Sequence, residues 1–234
     1  MLPDFEFCCD AFKKYGFELS NDNYKKFCAY SDYLVEYNKN VNLTAITEPM
    51  EILYKHFIDS IMITRYIDIP FGASLIDVGT GAGFPSVPIK IIRPDINLTL
   101  LDSLNKRIVF LDSLCNILEI DAQLIHGRAE DFSKKEEFRE KYDFACARAV
   151  TNMSLLSELC IPFVRVGGKF ISMKGPTENI SIGYNAIEIL GGIVSRETNY
   201  TVEAEERRII EISKISQTPT KYPRNSSQIK KKLL

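Results

Sequence analysis

Histidine is scarce in this chain. Its two residues, His56 and His126, stand far apart in sequence, and a metal centre built on two isolated imidazoles needs carboxylates that the sequence does not set beside them. No metal site is expected. The six cysteines, at positions 8, 9, 28, 115, 146 and 160, form no C-x-x-C pair and have no histidine at ligand spacing, which excludes the usual zinc and dithiol motifs and leaves buried thiols. Long apolar runs are missing as well: nothing approaches the roughly 18 consecutive residues that a spanning helix needs. The opening MLPDFEFCCD is acidic where a secretory leader is basic. Neither membrane nor export is expected, and a cytoplasmic protein is.

An excess of one charge is also absent. With 29 Lys and Arg against 31 Asp and Glu the net charge is −2, whereas nucleic-acid-binding domains are usually basic overall. Distribution matters more than the sum: from Lys221 onward there are five bases, Lys221, Arg224, Lys230, Lys231 and Lys232, and no acid. A tail of that kind either meets phosphates or is a solvated, frayed terminus. Composition does not choose between the two.

What is present is ordinary globular material, 45% hydrophobic and 26% charged over 234 residues, enough for one large α/β domain with an appendage. Phe5, Cys8, Cys9 and Phe12 fall at helical spacing and Gly16 stops the run. Ser20 or Asn21 caps a second helix striped by Tyr24, Phe27, Cys28, Leu34 and Tyr37. The Asn- and Thr-rich segment 38–47 reads as an ordered loop. Thr47 then caps a third helix with Pro49 in its first turn, Ile52, Leu53, Phe57 and Ile61 on its buried face, and His56 and Asp59 near its polar edge.

From Ser74 the pattern changes to strands alternating with helices, the mark of a parallel sheet with crossovers. Strands are expected from Leu75, from Asn97 to Asp102, over 123–125, from Tyr142 to Arg148 and over 169–173, with Gly167-Gly168 breaking the chain before the last. Helices are expected over 84–92, 105–118, 152–163 and 176–190. The runs 193–202 and 207–215 have no helix between them, so they should add an antiparallel hairpin to the otherwise parallel sheet. The expected organisation is a helical part over 1–66, an α/β domain over 67–220 and a basic tail over 221–234.

The chain is organised around Leu75-Ile-Asp-Val-Gly-Thr-Gly-Ala-Gly-Phe84. A buried strand carrying one acid runs into glycines at 79, 81 and 83, a spacing that lets backbone approach a ligand closely. The dinucleotide fingerprint G-x-G-x-x-G would need its third glycine at position 84, which is Phe84. That version is not met. Asp77-x-Gly79-x-Gly81-x-Gly83 resembles instead the nucleoside-binding turn of S-adenosylmethionine-dependent methyltransferases.

Ligands of open α/β sheets bind outside the carboxyl ends of the strands, so the residues that end successive strands should share one crevice. Asp102 is placed to accept two ribose hydroxyls or to cap the following helix. Ala129 and Glu130 either flank an adenine or leave a solvated charge. Arg148 faces the place where a methyl donor and acceptor meet, or pairs structurally with Asp143 or another acid. Lys174 reaches a phosphate or a cofactor carboxylate, or is a solvated lysine.

Eight strings together carry a wider likeness: Asn40-Val-Asn-Leu-Thr-Ala-Ile-Thr47, His56-Phe-Ile-Asp-Ser60, Asp77-Val-Gly-Thr-Gly-Ala-Gly-Phe-Pro85, Leu100-Leu-Asp-Ser-Leu-Asn-Lys-Arg107, Arg128-Ala-Glu130, Ala147-Arg-Ala149, Lys174-Gly175 and Tyr222-Pro-Arg224. In that order they resemble the ribosomal RNA small-subunit methyltransferase G family, also called glucose-inhibited division protein B. The resemblance implies a class I, Rossmann-like methyltransferase fold with a small helical N-terminal part. It also implies methyl transfer from S-adenosyl-L-methionine to N7 of one guanine in 16S ribosomal RNA, with the RNA or the small ribosomal subunit as partner. By the family pattern Gly79, Phe84, Ala129, Glu130 and Arg148 match cofactor-contacting positions. Asp77, Gly81, Gly83 and Asp102 complete the expected cofactor set, and Lys174, Arg224, Lys230, Lys231 and Lys232 the expected RNA set.

Two positions depart from the family pattern: Ser86 stands where Gly is usual, and Ser226-Ser227-Gln-Ile where Gly-x-Pro is. The alternative within reach of the same residues is a methyltransferase acting on another RNA or on a small molecule. A monomer is expected. Guanine N7 carries a lone pair and no proton, so its methylation needs alignment and electrostatics rather than a general base. Arg148 is the residue expected to supply that alignment.

Overall fold

The computed structural model describes residues 1–148 and 152–234; Ala149, the end of one string quoted above, lies outside the described residues. Helices α1 (Phe5–Lys14) and α2 (Asn21–Asn38) open the chain, capped by the side chains of Asp4 and Ser20. The loop after α2 is pinned by Asn38, whose Oδ1 accepts from the backbone of Leu43 and Thr44. The next helical stretch is not uniform. A short α3 (Pro49–Glu51) passes into a π-helical segment, Ile52–Ile58, and then α4 (Asp59–Tyr66). Glu48, not Thr47, flanks its start, and no side chain caps it. His56 and Asp59, expected at a polar edge, are buried at 6% and 3% exposure. The π winding rotates His56, and with it the α4 that begins at Asp59, away from the face that an unbroken 3.6-residue spacing from Pro49 assigns.

The sheet then follows in the order β3-β2-β1-β4-β5-β7-β6. Strands β1 (Ser74–Val78), β2 (Asn97–Asp102), β3 (Gln123–His126), β4 (Tyr142–Arg148) and β5 (Val164–Lys174) are parallel, and the hairpin β6 (Gly192–Val202) and β7 (Glu205–Lys214) is antiparallel with β7 against β5. Between them come α5 (Ser86–Ile92), α6 (Asn105–Leu118), α7 (Ala129–Phe132), α8 (Met153–Cys160) and α9 (Tyr184–Ile189). Gly167 and Gly168 do not end a segment as expected. They lie inside β5, where the register with β4 jumps and Gly167 takes φ +86°, the mark of a bulge. The helix expected over 176–190 is confined to a 3₁₀ turn, Ile180–Gly183, and α9.

Side chains alternate across each strand, and so two cores form. Leu75 on β1 with Phe144 and Cys146 on β4 packs against α1, α2 and the 49–66 stretch, while Ile76, Val78, Ala145 and Ala147 pack against α8 and α9. Residues 1–66 therefore share a core with the sheet: Tyr30, Phe27 and Leu34 of α2 are all buried in it. The strand order reverses between β1 and β4, which opens a crevice at their carboxyl ends.

The basic tail is folded back onto this body. Ile229 in α10 (Ser226–Lys231) is buried, and the helix carries a capping box between Asn225 and Gln228, which accounts for the unusual Ser226-Ser227-Gln-Ile. Arg224, expected to face RNA, turns inward: its Nε and Nη2 donate to both oxygens of Glu158 on α8, at 2.9 and 2.7 Å. Lys230, Lys231 and Lys232 stay exposed. The Glu158 side chain is 1% exposed and that of Arg224 17%, so breaking the pair strands a carboxylate without its cation. Arg224→Ala should lower unfolding free energy by roughly 3 kcal/mol, measured by urea denaturation, and Lys230→Ala should leave it within about 0.5 kcal/mol.

Candidate active site

The Gly turn is built by close packing on one side and openness on the other. A Cβ on Gly83 (φ +96°) would sit 2.8 Å from the Tyr30 hydroxyl and from Val87, so that position admits only glycine. At Gly81 (φ +61°) a Cβ would meet nothing nearer than the Gly79 carbonyl at 4.0 Å. The left-handed backbone demands glycine there, while the space beside it is vacant enough for a ligand. Asp77 lies beneath the turn with 0% exposure. Its Oδ2 accepts from Thr80 at 2.9 Å and from Ser86 at 2.5 Å, and among the described residues no donor reaches Oδ1. Ser86, the departure from the family pattern, thus supplies a hydroxyl to the buried acid.

Asp102 braces the turn from β2. Its Oδ2 accepts from the Gly81 N–H at 3.0 Å and pairs with Arg107 at 3.1 Å, and its Oδ1 accepts from Leu104 at the start of α6. It serves the helix terminus and the Gly turn together. Glu130 is buried at 6% exposure beside Ala129 on α7 and lies 3.7 Å from Arg128, so it is no solvated charge. Asp102, Arg128, Ala129 and Glu130 line one cavity of about 170 Å³ with Gly79, Gly127 and, from α8, Leu156 and Leu159, whereas Asp77, Gly81, Gly83 and Phe84 of the expected cofactor set do not line it. The motifs of the sequence do not single out the two leucines; the apolar face of α8 is the signal that points to them.

Arg148 ends β4 in a second cavity of about 400 Å³, shared with His56, Asp59, Lys174, Glu178 and Arg207. Its guanidinium is held on several sides. Nη1 donates to the Lys55 carbonyl at 3.1 Å and pairs with Asp59 at 3.3 Å, and Nη2 donates to His56 Nδ1 at 3.1 Å. The acid it finds is Asp59, from the helical stretch; Asp143 is engaged by Arg165 and Ser74. Asp59 also accepts from Tyr200 of β6 at 2.7 Å, tying the C-terminal hairpin to the N-terminal helices. Phe84 underlies the group, stacked between Tyr30 at 5.2 Å and His56 at 4.2 Å, with the guanidinium carbon 4.8 Å from its centroid. Lys174 is buried and pairs with Glu178 at 2.7 Å, so it is not a solvated lysine.

The sequence-expected cofactor residues therefore converge on one end of the sheet. A larger open groove of about 650 Å³ lies along β6 and α9 and contains none of them. Among the described residues no cluster of His, Cys, Asp and Glu is arranged to hold a metal ion, and no helix is long and apolar enough to cross a membrane.

Residues 23–210 match the family model described as rRNA small subunit methyltransferase G, GidB. Among curated relatives, the ribosomal RNA small subunit methyltransferase G of Clostridium botulinum is 48% identical over 219 residues, covering 92% of each chain. That of Clostridium kluyveri is 46% identical over 232 residues, covering 97% of each. Solved structures share the fold at low identity. A SAM-dependent O-methyltransferase from Thermotoga maritima gives a TM-score of 0.51 at 14% identity, over 80% of this chain and 72% of that one. A precorrin-6y C5,15-methyltransferase from Geobacter metallireducens gives 0.50 at 13%, over 72% and 90%.

Burial pushes the Asp77 carboxyl from its ordinary 3.8 up to about 7, against the opposing pull of the Ser86 and Thr80 hydroxyls and of Arg148. Because its folded pKa lies above its unfolded one, the native state holds a proton that the unfolded chain releases between about pH 4 and 7. The contribution of Asp77 is present at the acid end of that window and is lost as pH rises through it. Stability of the parent relative to Asp77→Asn should therefore fall by up to about 1.4 kcal/mol per pH unit across the window and level off above it. Urea unfolding of both proteins from pH 5 to 8 measures this; a constant difference contradicts it.

Proposed function

Since the chain belongs to the rRNA small subunit methyltransferase G family, we propose that its two cavities divide one reaction, the smaller holding the methyl donor and the larger the base that receives the methyl group. The protein is an S-adenosylmethionine-dependent methyltransferase of small-subunit ribosomal RNA. The finer reading is that the acceptor is N7 of a guanine in 16S RNA, reached in the cytoplasm by a monomer.

The observation that carries this reading is the register of β1 and β4. Asp77 pairs with Cys146, and two residues further along the parallel strands stand Gly79 and Arg148, one lining the smaller cavity and the other the larger. In this reading the donor and acceptor sites adjoin at the crevice. The residues present fit the cofactor: an open cradle at Gly81, a buried carboxylate oxygen on Asp77 with no described donor, and a narrow slot between Ala129 and the α8 leucines. In this reading Gly79, Gly81, Gly83 and Phe84 shape the cradle. Asp77 offers charge to the amino-acid end, Asp102 accepts from the ribose, and Ala129 and Glu130 flank the base.

S-adenosylmethionine, when bound, supplies a sulfonium methyl as electrophile. The guanine N7 lone pair needs no deprotonation, and the site agrees with that. Both nitrogens of His56 are engaged, Nδ1 by Arg148 and Nε2 by Thr44 at 2.9 Å, so His56 is not a free base. Arg148 is a fixed cation 14% exposed. Donating to a base edge or to the cofactor, it aligns the reacting groups. Positive charge spreads over the guanine as the methyl group arrives, and the carboxylates of Asp59 and Glu178 at the same cavity favour it. Lys174 is anchored by Glu178 within this wall, and the exposed Lys230, Lys231 and Lys232 are the part of the tail that meets RNA phosphates.

Gly81→Val should fold yet lose S-adenosylmethionine affinity by at least about 10-fold, because a branched side chain enters the cradle and strains its left-handed backbone; calorimetry showing parental affinity contradicts the cradle. Arg148→Ala should lower single-turnover methyl transfer to ribosomal subunits, at saturating RNA and cofactor, by about 100-fold. Replacing Lys230, Lys231 and Lys232 by Gln should instead weaken RNA binding and make the slope of log affinity against log salt shallower by about one for each lysine neutralised. A tail variant slow at saturation beside an Arg148→Ala enzyme of parental rate reverses the two roles.

A further inference from the structure

His56 sits where a catalytic base would be sought, yet its surroundings give it a different task. It is 6% exposed, and its ring lies 4.2 Å from that of Phe84 in a near-parallel stack. Nδ1 faces Arg148 Nη2 at 3.1 Å and Nε2 faces Thr44 Oγ1 at 2.9 Å. A guanidinium only donates, so Nδ1 must accept and the ring proton must be on Nε2, donated to Thr44. Burial first and the Arg148 cation second push the imidazole pKa down to about 3. The ring is neutral at any working pH and its acceptor lone pair is permanently available.

The other partners of Arg148 do not do the same work. Asp59 supplies charge but is shared, with Tyr200 at 2.7 Å and Arg207 at 3.8 Å on its other oxygen. The Lys55 carbonyl and Asp59 both hold Nη1. Among the hydrogen bonds described for Arg148, His56 alone accepts from Nη2, and two points on different nitrogens are needed to fix the plane of a guanidinium. The ring is itself anchored through Thr44 to a loop that Asn38 pins by Leu43 and Thr44. The chain of contacts runs from loop to hydroxyl to imidazole to guanidinium.

We propose that His56 is a positioning residue: it accepts from Arg148 through Nδ1, with Thr44 setting the tautomer, and so holds the guanidinium plane over Phe84 in the orientation that methyl transfer requires. The proposal deepens the reading given above and rests on Arg148 being the group that aligns donor and acceptor.

Two substitutions separate acceptance from stacking. His56→Phe keeps a ring against Phe84 and removes the acceptor; His56→Asn removes the ring and places Oδ1 near the position of Nδ1. The measurement is single-turnover methyl transfer at saturating S-adenosylmethionine and ribosomal subunits, with melting temperature and cofactor affinity alongside. His56→Phe should keep its melting temperature and cofactor affinity and lose rate by about 10-fold or more. His56→Asn should melt lower and recover most of the rate that Phe loses. Thr44→Val, which frees Nε2 without touching the stack, should also slow transfer, and Thr44→Ser should restore it; this pair decides the matter if His56→Phe does not fold. A Phe variant of parental rate, an Asn variant as slow as Phe, or a Thr44→Val enzyme of parental rate overturns the proposal. Arg148→Ala in the same assay keeps the two levels apart. If it loses rate while His56→Phe does not, only the positioning role of His56 falls; if it keeps parental rate, the reading of Arg148 falls first.

Discussion

A guanidinium withdrawn almost wholly from water must be surrounded by acceptors, since desolvating an unpaired cation is far more unfavourable than any single hydrogen bond can offset. Arg148 imposes that condition on the whole upper end of the molecule. Its neighbours are drawn from segments remote in sequence: the π-helical turn around Lys55 and His56, the head of α4 at Asp59, and, through Asp59, Tyr200 on the C-terminal hairpin. Phe84, at the end of the Gly turn, closes the group from below. The N-terminal helices are therefore part of the site. Without them the cation that ends β4 would lack its carboxylate and its imidazole.

Electrostatics divides the crevice into two characters. Around Asp77, Asp102 and Glu130 the buried groups are acidic, suited to a ligand that carries an ammonium and a sulfonium. Around Arg148, Lys174 and Arg207 they are mixed, with Asp59 and Glu178 interleaved, suited to a base that is polar at its edges and becomes cationic during reaction. The smaller cavity is read as a place to hold and the larger as a place to align. For the proposed N7 acceptor the chemistry asks for little more, because its lone pair carries no proton to be removed.

How much of this the sequence discloses depends on how local each signal is. The Gly turn, the strand ending at Asp102 and the antiparallel hairpin are legible because glycine at left-handed positions and alternating apolar residues leave their mark within about ten residues. The five parallel strands lie where hydrophobic runs place them, and β5 is longer than expected because a bulge at Gly167 and Gly168 continues a strand that a glycine pair would ordinarily end. His56 falls at a polar edge only when the α-helical period is applied to a segment that is π-helical, Asp59 follows directly on that segment, and the cation that makes their burial tolerable lies about ninety residues later in the chain. Arg224 misleads for the same reason. Nothing near it announces that Glu158 waits on α8. Lys174, by contrast, has Glu178 only four residues away, across the turn that follows β5, so its partner is at least local in sequence.

The clasp between Arg224 and Glu158 makes one wall of the smaller cavity depend on a segment 66 residues further along the chain. Leu156 and Leu159 wall the smaller cavity, and Glu158 lies on the same short helix. Ser154 on that helix donates to the carbonyl of Leu234, and Arg139 holds the carbonyls of Thr218 and Tyr222. Arg224 and Leu234 thus clamp α8 on top of its packing against α9, and without Arg224 the buried Glu158 would have no cation. The wall that carries Leu156 and Leu159 is therefore held from two directions, by its own crossover and by the returning tail.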